Sequence, residues 1–143
     1  VICWKDKNFN YVYDAIVYCV FISLGFASIE NLIAILSNSG GFTLALQRGL
    51  ITVPAHAFFG IISGYYLGLA KKYEARRWNK RKRKYIILSL LIPIIVHGMF
   101  DSLLFLSSTA SLLFATALIV YLYLSSALKV VKTSSEAKKI TRR

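Results

Sequence analysis

Acidic side chains are scarce in this chain: its 143 residues hold six Asp and Glu against eighteen Lys and Arg, for a net charge of +12. The acids are Asp6, Asp14, Glu30, Glu74, Asp101 and Glu136, and no two are adjacent. Cysteine is scarcer still. Cys3 and Cys19 are too few for a disulfide framework or a metal knuckle and say little about redox compartment. There is no HExxH, no GxSxG and no paired serine and lysine, so the familiar hydrolase signatures are absent. No internal repeat is visible, whereas transporters are commonly built from paired halves. The chain opens on Val1 with no signal-peptide pattern and reads as a piece of a longer protein.

What is abundant is apolar sequence. Hydrophobic residues make up 57% of the chain and charged residues only 17%, gathered between apolar runs of about twenty residues. That pattern needs a bilayer and argues against nucleic acid as the partner of the positive charge. The fold expected is an all-α, polytopic membrane helical bundle: one membrane-embedded domain over residues 1–128 with four spans, about 11–36, 50–70, 85–106 and 111–128. A short amphipathic helix over 42–49 is expected between the first two spans, after the Asn38-Ser39-Gly40-Gly41 turn signal. Residues 71–84 form a basic loop and 129–143 a basic tail. The loop holds nine Lys and Arg, the tail six and the N-terminal segment two, which leaves Arg48 alone on the other side. The positive-inside rule then places the termini and the basic loop in the cytoplasm.

Four ionisable groups fall at one depth within these spans. Glu30 lies six residues before the outer end of span one and His56 six after the outer start of span two. His97 and Asp101 lie nine and five residues before the outer end of span three. All sit roughly 8–14 Å below the outer surface at the rise of a helix. Charge at such depth is costly and marks function by default. His56, Gly60, Gly64 and Gly68 recur every four residues, a stripe that lets another helix approach and turns His56 toward the bundle. His97 and Asp101 share a helical face one turn beyond Pro93. Asp14, near the inner interface, is given no role. Carboxylates and imidazoles in a dry pocket support general acid–base chemistry; two His with a carboxylate also suit zinc with a position left for water. Each group also has a structural reading, with Glu30 paired to Arg48 or His56 and His97 to Asp101.

At these residues the sequence resembles the PrsW family of membrane-embedded proteases, relatives of the type II CAAX prenyl endopeptidases. Leu24-Gly25-Phe26-Ala27-Ser28-Ile29-Glu30-Asn31 is similar to that family's second motif. Arg48 with Val53-Pro54-Ala55-His56 is similar to the third, and His97-Gly98-Met99-Phe100-Asp101 to the fourth. Tyr13-Asp14-Ala15-Ile16-Val17-Tyr18 matches the approach to the second, so the resemblance covers residues 9–106. The family's first motif, a Glu-Glu pair that the resemblance makes the activator of the attacking water, has no counterpart among these acids. The resemblance implies a multi-pass endopeptidase of the cell membrane, acting on a membrane-anchored protein near the extracytoplasmic face. Site-1 cleavage of an anti-sigma factor is an activity known in the family. In that reading His56 and His97 orient water or stabilise an oxyanion, Asp101 orients His97, and Glu30 assists, with Phe26, Asn31 and Arg48 in support. A metal-free glutamate mechanism is favoured over zinc bound by His56, His97 and Glu30. The competing functions are a non-catalytic adaptor that retains the packing and, less favoured, an element of a proton-coupled transporter.

Overall fold

A computed structural model describes residues 2–135. A short 3-10 helix, Ile2–Lys5, leads into α1 (Val12–Ser37), α2 (Gly41–Ala75), α3 (Asn79–Leu106) and α4 (Thr109–Ser135). All four long helices are long and apolar enough to cross a membrane. The all-α membrane bundle expected from the sequence is therefore what the chain forms, with no strand among the described residues.

Three expected boundaries change. The short helix over 42–49 and the span over 50–70 are one continuous helix, α2, of 35 residues. Gly49 at the junction costs a helix only about 1 kcal/mol, and Pro54, a stronger helix breaker, is accommodated inside α2. The basic loop over 71–84 shrinks to residues 76–78, and α4 runs seven residues into the expected tail. Lys and Arg are good helix formers, so the helices continue past the hydrocarbon until a turn stops them. That turn has Arg77 at φ 58°. Residues 136–143 of the tail lie outside the described residues.

Asp14, which has no role in the sequence reading, caps α1. Its Oδ2 accepts the backbone N–H groups of Asn10 at 2.9 Å and of the N-cap residue Tyr11 at 2.7 Å. At the opposite end of the bundle, Ser108 and Ser111 cap α4 reciprocally. Each hydroxyl accepts the other's backbone N–H, at 3.0 and 3.1 Å.

α2 is the central helix, with α1, α3 and α4 packed on it. On α1 the contact is backbone to backbone. A Cβ added at Gly60 would lie 2.7 Å from Val20 Cα, one at Gly68 2.6 Å from the Val12 carbonyl oxygen, and one at Gly64 would collide with the Ile16 backbone. The glycine stripe thus sets the register between α1 and α2. On the opposite side Ala55, Phe59 and Ile62 of α2 join Phe100 of α3 and Leu122 of α4 in a buried apolar core. Most other large side chains of α1, α3 and α4 point outward, Phe21, Ile94 and Leu113 among them, as lipid-facing surfaces do.

Candidate active site

Because the glycine stripe fixes α1 on α2, Glu30 of α1 comes level with His56 of α2. Glu30 Oε2 lies 3.1 Å from His56 Nε2. α3 brings His97 to the same place, its Nε2 4.0 Å from Glu30 Oε2 and 3.1 Å from Asp101 Oδ2. The two imidazole rings meet edge to face with centroids 4.8 Å apart. The depth argument from sequence thus brought together four groups that the structure also brings together. They are unequally covered: the His56 side chain is 2% exposed, His97 24%, Glu30 31% and Asp101 53%. The layer is sealed toward α2 and open on the side of Asp101.

The supporting residues are also in contact. Arg48, from the N-terminal part of α2, reaches Glu30 Oε1 at 3.3 Å and donates from Nε to Asn31 Oδ1 at 2.8 Å. One guanidinium therefore balances the carboxylate and fixes which oxygen faces the imidazoles. Phe26 lies against both rings, at 5.8 Å from His56 and 6.2 Å from His97.

Two further residues complete the setting without having been singled out in the sequence. Phe59 stacks on His97 at 5.2 Å with ring planes 26° apart and meets His56 edge-on at 5.6 Å. Ser23 of α1 donates to the His56 carbonyl at 2.7 Å, tying the two helices at that turn. Phe59 had one available signal, its position three residues after His56 on the same face. Ser23 had none, since serines are common in packed membrane helices.

Three atoms at the centre have no hydrogen-bond partner among the described residues: Glu30 Oε2, His56 Nε2 and His97 Nε2. Glu30 Oε2 and His56 Nε2 nevertheless lie within ion-pair distance of each other, at 3.1 Å. Buried polar atoms are normally satisfied, so three orphans converging on one point is unusual. Ligand atoms of these three residues lie within 4.8 Å of one another, which suits one divalent cation bound by two nitrogens and an oxygen. Asp101 meets the same nitrogen of His97 that faces Glu30. That nitrogen can carry a proton toward Asp101 or offer its lone pair inward, but not both.

Four helices long and apolar enough to cross a membrane, with carboxylates and imidazoles gathered into one layer among them, define a class: a polytopic membrane protein with an ionisable cluster between its spans. Residues 1–128 match the family described as "PrsW family intramembrane metalloprotease". The chain belongs to that family. It is 34% identical over 138 residues to Protease PrsW of Clostridioides difficile, covering 95% of this chain and 57% of that protein. To Protease PrsW of Halalkalibacterium halodurans it is 43% identical over 105 residues, covering 73% and 46% of the two chains. To that of Oceanobacillus iheyensis it is 40% identical over 103 residues, covering 72% and 45%. The chain spans about half the length of the curated relatives it matches. No solved structure matches it.

Proposed function

We propose that this chain supplies the imidazole–carboxylate part of the catalytic centre of an intramembrane endopeptidase, hydrolysing a peptide bond in a membrane-anchored protein. The observation that carries the reading is the convergence of Glu30 Oε2, His56 Nε2 and His97 Nε2 on one point, with ligand atoms within 4.8 Å of one another, in one layer of a membrane bundle. Membership of a family described as metalloproteases supports it. The same two findings shift the balance away from the metal-free mechanism favoured on sequence alone.

Glu30, His56 and His97 would hold a divalent cation of the zinc class. Such an ion supplies Lewis acidity, polarising a peptide carbonyl and making water more acidic. The residues do the rest. Arg48 holds Glu30 Oε1, so that Oε2 stays directed at the imidazoles. Phe59 and Phe26 fix the two rings and keep bulk water from their faces. Asp101, half exposed beside His97, is the acceptor on the open side, where water and substrate arrive. With His97 Nε2 lone pair turned inward, the Asp101 carboxylate is free to take a proton from water attacking the carbonyl. It returns that proton to the leaving amine.

The substrate we infer is a membrane-anchored protein cut near the extracytoplasmic face, with an anti-sigma factor and site-1 cleavage as the specific form implied by family resemblance. The charge asymmetry supports the orientation: the N-terminal lysines and the basic turn between α2 and α3 lie at one end, and Arg48 with the site lies toward the other.

The test uses purified full-length protein and a membrane-anchored peptide reporter. We expect about one zinc-class ion per chain by elemental mass spectrometry, lost together with cleavage in His56→Ala and in His97→Ala. Full cleavage after exhaustive chelation would remove the metal from this reading. Full cleavage by both alanine variants would remove the site itself.

A further inference from the structure

At the basic end of the bundle, away from the carboxylate–imidazole layer, the 3-10 turn Ile2–Lys5 folds against the last turns of α2 and leaves an open cavity of about 540 Å3. That is within the size range of ligand sites. Its walls include Trp4, Lys5, Lys7, Phe9 and Lys71. Asp6 and Glu74 also line it, and Glu74 is engaged by neighbouring cations. Glu74 accepts from Trp4 Nε1 at 3.2 Å and Lys82 Nζ at 2.6 Å, and it lies 3.4 Å from Lys71 Nζ. Asp6 accepts the Asn8 backbone N–H at 2.8 Å. Lys5 and Lys7 have no acidic partner among the described residues. Asp6 keeps its negative charge, so the lining holds three Lys against two acids and carries one net positive charge, with Lys5 and Lys7 at its mouth.

The floor is apolar. Phe9 is 3% exposed and packs with Ala15 and Leu67 in a small core that Trp4, Tyr18 and Cys19 surround. Trp4 meets Phe9 edge to face at 5.9 Å, and the ammonium groups of Lys71 and Lys82 lie over the Trp4 ring at 4.8 and 5.5 Å. A tryptophan held this way marks the headgroup level of a bilayer. A soluble anion would use the cationic mouth and leave the aromatic floor idle; a phospholipid uses both.

We propose that this cavity binds the headgroup of an anionic phospholipid, with Lys5 and Lys7 on its phosphodiester and the Trp4–Phe9 edge against the glycerol and upper acyl chain. Basic pockets at helix ends on the cytoplasmic side are suited to such headgroups. The site is independent of the hydrolytic centre and of whether that centre cuts peptide bonds.

The experiment is native mass spectrometry of the full-length protein in detergent, titrated with phosphatidylglycerol, phosphatidylcholine or inorganic phosphate. We expect bound phosphatidylglycerol in excess of phosphatidylcholine. Lys5→Gln with Lys7→Gln should weaken it at least about tenfold, since each interfacial lysine contributes on the order of 1 kcal/mol to an anionic surface. Lys80→Gln with Arg81→Gln removes the same charge from the adjoining turn, outside the cavity, and should weaken it less than about threefold. Equal loss in the two double variants would overturn the proposal in favour of diffuse attraction. Equal retention of the two lipids would overturn it outright. Displacement of the lipid by millimolar phosphate, with phosphate itself retained, would identify a soluble anion as the ligand instead. Unchanged melting temperatures of the variants keep lost binding from being read as lost folding.

Discussion

His97 Nε2 faces two carboxylates at once, Glu30 Oε2 at 4.0 Å and Asp101 Oδ2 at 3.1 Å. A single nitrogen therefore decides between a protonated pair with Asp101 and an unprotonated nitrogen whose lone pair is available on the side of Glu30 and His56. Asp101→Asn keeps the shape while removing the proton acceptor, so it should lower the cleavage rate at least about 10²-fold, as loss of a general base does, while leaving bound metal near the wild-type level. Parallel elemental analysis and reporter cleavage check this, and metal loss would make Asp101 a ligand instead. Arg48→Ala releases Glu30 and should cost about 10–100-fold in metal affinity, the usual effect of losing a group that orients a ligand. Competition with a chelating dye reads that directly. Phe59→Leu, which keeps most of the buried volume, should lower kcat with little change in KM, because the substitution frees the His97 ring without touching the substrate path. Glu30, His56, His97 and Asp101 were legible in the sequence because polar residues stand out in apolar runs and helical rise converts position into depth. The shared nitrogen and the Phe59 stack were not, since both depend on side-chain torsions and helix rotation, and an aromatic residue in a membrane span carries no mark of its neighbour.

α2 is the longest of the four helices and packs against all three others, and the glycines of the bundle are of two kinds. Gly64 is in backbone contact with Ile16, so a larger side chain there forces the helices apart. Gly98 of α3 has nothing within 4 Å of where a Cβ would stand. Gly64→Val should destabilise by about 1–3 kcal/mol, the range for overpacking, whereas Gly98→Ala should be neutral or slightly stabilising through helix propensity. Unfolding in mixed micelles, followed by circular dichroism, separates the two; equal effects would show that α1 does not pack as tightly as the glycine stripe requires. The period-four spacing from His56 to Gly68 made this face readable in advance. The fusion of the short helix with span two was not readable, because a hydrophobicity pattern marks where lipid ends and is silent on whether the helix does.

At the scale of the whole molecule, the basic turn over residues 76–78 and its helical flanks hold one end of the bundle and Arg48 stands toward the other. Cysteine-accessibility mapping in intact cells should label a cysteine placed at position 78 only after the membrane is opened, and one placed at position 39 without opening it; the reverse pattern would invert the orientation we infer. The span count and the clustering of charge were legible because the bilayer imposes its thickness on sequence, whereas the packing order around α2 depended on which faces carry glycine. That packing has a kinetic corollary. The contacts at Gly60, Gly64 and Gly68 act as the teeth of a vernier, spaced four residues or about 6 Å apart along the axis. A slip of α1 by one tooth carries Glu30 about 6 Å from His56, far beyond the 3.1 Å that now separates them. The Glu30–His56 pairing is thus all-or-none: a molecule in register has it and one out of register does not. Weakening the teeth thins the population of competent molecules and leaves the turnover of each competent one unchanged.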